Sequence, residues 1–76
     1  MFNVYQQHKG SNISMPQEKS LEGVKRLAEA AAKLGHDAFY RAFRVTPNGE
    51  SFVTAFSVLE GTVAEHNSVT FPQAHF

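Results

Sequence analysis

The chain has no cysteine. A disulfide staple and a thiolate metal site are therefore both excluded. It has no excess of charge of either sign, because seven Lys and Arg balance seven Asp and Glu. Neither a strongly basic nucleic-acid binder nor an acidic nucleic-acid mimic fits as a whole-surface design. No apolar run approaches the roughly 20 residues that a membrane helix needs. No basic-then-apolar leader opens the sequence, so a secretory signal is not expected and a reducing cytoplasm is the expected compartment. Charged residues make up 18% and apolar residues 42%, a balance that excludes a disordered polyelectrolyte. The chain is also short. Its 76 residues allow one domain and one core, and a single core of this size supplies about 3–5 kcal/mol.

What is present begins with a weak alternation. Phe2, Val4 and Gln6 fall on one side of residues 2–7 and Asn3, Tyr5 and Gln7 on the other, which predicts a first strand. Residues 8–19 contain Gly10, Ser11, Asn12, Ser14 and Pro16 and read as a loop. A helix follows from about 21 to 34. Leu21, Val24, Leu27, Ala28, Ala31 and Leu34 recur at spacings of three and four and make one apolar stripe. Ser20 is the expected N-cap and Gly35 the expected C-terminal stop. Glu22 with Arg26, and Glu29 with Lys33, add acid-first pairs four residues apart. Gly23 is a flaw in the first turn.

Aromatic and β-branched runs at 37–45 and 50–59 flank Thr46-Pro47-Asn48-Gly49, which predicts a hairpin. With Thr46 opposite Gly49, Phe43 opposes Phe52 and Phe39 opposes Phe56. One face then carries Phe39, Phe43, Val45, Phe52, Phe56 and Val58, and the other Ala38, Tyr40, Ala42, Arg44, Ser51, Val53, Ala55 and Ser57. Arg41 and Thr54 fall awkwardly on the phenylalanine face. A short last strand is expected at about 67–71, ended by Pro72, with a loose tail after it.

These elements predict an α+β domain of two layers: one helix on a small antiparallel sheet of three to four strands, in the order β-α-β-β-β. Nine aromatic residues offer more apolar area than one helix covers. One sheet face is therefore expected to serve association, with a second copy or with a partner. Charge supports the same idea. Residues 1–44 hold all seven Lys and Arg against Glu18, Glu22, Glu29 and Asp37, and residues 45–76 hold only Glu50, Glu60 and Glu65, so the halves carry +3 and −3.

Catalytic and cofactor chemistry finds little support. His8, His36, His66 and His75 lack zinc-ligand spacing. A nucleophile would be a Ser or Thr near a His, yet no nucleophile elbow appears, and Ser51 and Ser57 read as strand spacers. Glu60 and Glu65 have nothing nearby that would raise one pKa. No glycine-rich phosphate loop exists. No enzyme activity, metal or cofactor is expected.

Binding is the remaining class. Tyr40, Arg41, Arg44, Phe71 and Phe76 are the interface candidates, being the residue types enriched at interface centres. Lys25 and Arg26, with Lys33, Arg41, Arg44 and Tyr40 as a stacking platform, form the basic patch that weak nucleic-acid binding would need.

Two layouts are similar. Phe2, then "SLEGVKRLAEAAAKLGHDAFYRAFRV", then the hairpin to Val58 resembles the first half of the SPOR peptidoglycan-binding domain, which implies glycan binding. The same order in a small neutral chain resembles some phage-encoded inhibitors, including certain anti-CRISPR proteins, which implies occlusion of a larger complex. Neither likeness assigns a site residue. The expectation is a non-enzymatic module that binds a protein partner by surface occlusion and self-associates as a dimer. A weak nucleic-acid-binding accessory protein is the alternative, and a cell-wall glycan binder the third.

Overall fold

The structure, a computed structural model, describes residues 1–67. The expected strand at 67–71, the tail from 72, and the candidates Phe71 and Phe76 lie outside them, except Asn67, which is in no strand. The elements are β1 (Phe2–His8), β2 (Ser11–Glu18), α1 (Leu21–Lys33), β3 (Ala38–Thr46), β4 (Gly49–Leu59) and β5 (Thr62–His66). They form one antiparallel sheet in the order β2-β1-β3-β4-β5. The α+β class stands. The sheet has five strands rather than three to four.

The additional strand is β2, which replaces the expected loop at 8–19, and the last described strand, β5, lies at Thr62–His66, ahead of the expected 67–71. Lys9 and Gly10 have φ of 51° and 81°, and His8 pairs with Ser11. That is a two-residue hairpin turn with both central residues left-handed. Glu60 and Gly61, at 49° and 78°, repeat the device between β4 and β5. β2 reads as a loop because it is polar, and it is polar because it is an edge strand, largely exposed. Pro16 is tolerated there, since an edge strand has N–H groups that need no ladder partner.

Helix α1 begins at Ser20 as expected, although the Ser20 side chain makes no capping hydrogen bond. Its C-terminus closes as a Schellman motif. Gly35, at φ 73°, donates to the Ala32 carbonyl and His36 donates to that of Ala31. Val24, Ala28 and Ala31 of the stripe are buried, but Leu34 is 73% exposed and leaves the stripe at the cap. Beside Gly23 lies the Glu18 carboxylate, the end of a flexible side chain that could move aside for a larger residue there.

The hairpin register begins as expected, with Thr46 opposite Gly49 and Phe43 opposite Phe52. It then shifts. Ala42 pairs with Thr54, so Val53 is an extra residue in β4, and Phe39 opposes Ser57 rather than Phe56. This bulge moves Thr54, Phe56 and Val58 to the face of Ala38, Tyr40 and Ala42. The core is built there, against Val4, Val24, Ala28 and Ala31. The expected all-phenylalanine face is thus divided between the two sides of the sheet.

Candidate functional site

Helix α1 covers one face of the sheet, and no described element crosses the other. The open face carries Asn3, Tyr5 and Gln7 from β1, Phe39, Arg41, Phe43 and Val45 from β3, and Phe52, Ala55 and Ser57 from β4. Its rings pack edge to face. Tyr5 and Phe43 have centroids 5.4 Å apart at 75°, and Phe43 and Phe52 lie 5.8 Å apart at 79°. The Tyr5 hydroxyl donates to Glu50 Oε1 at 2.6 Å. That hydrogen bond, followed by desolvation, raises the Tyr5 phenol above its ordinary 10.0, and Arg41 pulls it partly back. Val45 is 46% exposed at one end of the face.

Arg41 sits at the centre, between Tyr5 on β1 and Ala55 on β4. One Nη donates to Asn12 Oδ1 of β2 at 3.1 Å. Its Nε is buried with no hydrogen-bond partner. Sequence alternation places Arg41 on this face and makes it look misplaced. The register sets Arg41 opposite Tyr5, with Phe39 and Phe43 two residues away on the same face of β3.

The other site candidates do not join it. Tyr40 is 4% exposed and belongs to the core, where Gln6 Nε2 donates to its hydroxyl at 3.1 Å. It is not a stacking platform. Burial raises its phenol above 10.0, with the Gln6 bond opposing. The bulge contributes to the correction, because it brings Phe56 and Val58 of β4 onto the face of Ala38, Tyr40 and Ala42, where the core with α1 is built. Arg44 is exposed and pairs with Phe2 and Ser51. Lys25 and Arg26 are exposed on α1, across the sheet from Arg41. The basic patch expected from Lys25, Arg26, Arg41 and Arg44 is therefore divided between two sides of the molecule. An open groove of about 490 Å³ beside the start of α1 includes Phe2, Lys19, Leu21, Glu22, Lys25 and Glu65. Its charges are mixed, and these residues include no histidine.

One pairing was missed from sequence. Ser57 Oγ and His66 Nε2 are 2.9 Å apart, with the Phe39 ring 6.0 Å from the histidine ring. This is a nucleophile beside a base. Among the described residues no carboxylate orients the ring. Ser57 also lies in a strand paired on both sides, to Phe39 and to Ala64, so adjacent backbone N–H groups are committed to the sheet rather than to an oxyanion. The pair came together because Ala55 opposes His66 and Ser57 opposes Ala64, a register the sequence does not announce. His8 and His36 also meet, with ring centroids 6.2 Å apart. Among the described residues no group of three His, Asp or Glu could hold a metal ion, and no helix is long and apolar enough to cross a membrane.

Comparison with known proteins finds no matching family model, no matching curated protein and no matching solved structure. The SPOR-like order of strand followed by helix is interrupted in this chain by β2.

Proposed function

We propose that this chain is a non-enzymatic protein-binding module that acts by occluding a surface of a larger partner, in the manner of phage or mobile-element inhibitors. The open sheet face is the proposed contact surface. The observation that carries this reading is the one-sided cover of the sheet: α1 packs on one face, while Tyr5, Phe43, Val45 and Arg41 stand on the other. Aromatic rings with an arginine at their centre are the composition of interface hot spots. Rigid strands hold them in one plane, so binding orders little that is not already ordered.

The test is affinity capture from host lysate with the tagged chain, with and without nuclease, alongside Phe43→Ser. The expected result is one stoichiometric protein that survives nuclease and disappears with Phe43→Ser. Loss of all bound material on nuclease treatment would replace this reading with nucleic-acid binding.

A further inference from the structure

Arg41 differs from every other Lys and Arg described. Lys9, Lys19, Lys25, Arg26, Lys33 and Arg44 are all exposed. Arg41 is partly buried at the middle of a five-stranded sheet. Resting on the interface reading above, we propose that Arg41 is the receptor for a carboxylate side chain on an acidic, apolar-flanked segment of the partner protein.

The argument begins with what Arg41 lacks. Its Nε is shielded from water and has no acceptor. Its one bond goes to the neutral side-chain oxygen of Asn12. The acid on the same face, Glu50, accepts the Tyr5 hydroxyl. Arg41 thus has no ion pair among the described residues. A guanidinium presents parallel N–H donors that match a carboxylate in a fork. The shielded Nε is out of reach of an arriving acceptor, so the Nη edge of the guanidinium is where a carboxylate would be taken. Asn12 holds the group by one nitrogen, which fixes its plane while donors remain.

The surroundings select the ligand. Tyr5 and Phe43 flank the site with apolar rings, which lower the local dielectric and strengthen an ion pair formed there. They also favour apolar residues beside the acid. A nucleic-acid backbone fits less well. Phosphate binding draws its strength from several cations in line, and Arg41 is the one Lys or Arg that the described strands place on this face. Residues 68–76 contain no Asp or Glu. The proposed source of the carboxylate is another molecule.

The experiment pans a phage library of random dodecapeptides on the wild-type chain, Arg41→Gln and Phe43→Ser, each first shown by circular dichroism to be folded. Enriched sequences are expected to carry Asp or Glu beside an aromatic or aliphatic residue. A synthetic copy of the best one should bind Arg41→Gln at least ten-fold more weakly. Replacing its acid by the amide should cost the wild type a similar factor and Arg41→Gln almost nothing, because the two changes delete the same pair. Peptides without acids that ignore Arg41→Gln but fail on Phe43→Ser would overturn the carboxylate receptor and leave the interface reading intact. Peptides that ignore both variants, or no enrichment over an unrelated control protein, would overturn both. A concentration-dependent dimer in sedimentation that Arg41→Gln dissolves would place the carboxylate on a second copy and overturn the choice of partner.

Discussion

The two faces of this sheet are built from different residues. The covered face has many small ones: Ala38 and Ala42 of β3 share one buried cluster with Ala28 and Ala31 of α1 and with Val4, Val24 and Val58. Tyr40 and Phe56 supply its bulk. The other face has Tyr5, Phe43 and Phe52, all half-buried, together with Arg41 and with Phe39, which is only 4% exposed. A core-first design would place the largest apolar side chains under the helix, where full burial gives each about 1.5–3 kcal/mol. Here four of them stand on the opposite side. Small residues let the helix approach closely, and close packing then depends on each methyl group being in place. The difference separates the residues that seat the helix from those on the face that no described element crosses.

The largest expected effect tests that separation directly. Phe56→Ala removes a side chain that is 3% exposed in the helix-facing core, at a cost of about 3–5 kcal/mol. That equals the whole stability of a core this size, so the variant should be unfolded at room temperature by circular dichroism. Phe43→Ala removes a half-buried ring that touches Tyr5 and Phe52 edge to face, for about 1–2 kcal/mol. It should remain folded with a lower denaturant midpoint and an unchanged slope. Equal losses from both variants would mean that the open face is core as well.

The second prediction uses the one tyrosine on each face. The chain has two, and both phenols are raised above 10.0 for different reasons: a hydrogen bond to Glu50 for Tyr5, burial for Tyr40. A raised folded value means that the folded state holds the phenolic proton more tightly than the unfolded state. The stabilisation is fully present below pH 10.0 and is lost as pH rises through the folded values. Absorbance titration near 295 nm should show no ordinary tyrosine. Glu50→Gln should return one phenol toward 10.0 and leave the other raised. If both move together, the two faces are coupled and the separation fails.

Much of this architecture is legible in the sequence. The helix limits follow from Ser20, Gly35 and the apolar spacing between them. The β3–β4 hairpin follows from Thr46-Pro47-Asn48-Gly49, and the uncovered face follows from the number of aromatic residues. Two features are hidden for physical reasons. A bulge adds one residue without any required residue type, so nothing marks Val53, and a single such residue reassigns Phe56, Val58 and Thr54. Tyr40 reads as an interface candidate because the sequence does not say which sheet face the helix covers, and the bulge conceals that Phe56 and Val58 join its side. Strand β2 is hidden because its turn places Lys9 where Asn or Gly would advertise a hairpin. Arg41 was legible as an oddity on an apolar face. Its proposed role as a receptor rests in part on the Asn12 contact, and hence on the strand that the sequence concealed.

That turn gives the smallest prediction. Lys9 at φ 51° adopts a conformation that disfavours long side chains and that Asn tolerates well. Lys9→Asn should raise stability by about 0.5–1 kcal/mol, seen as a melting temperature a few degrees higher. The change lies at the end of the β1–β2 hairpin and touches neither face. It should therefore stabilise the fold and leave partner binding at Arg41 and Phe43 unchanged, unless the Asn12 strand must move to admit a ligand. A stabilised variant that binds more weakly would show that β2 opens on binding, and would make the open face an induced surface rather than a preformed one.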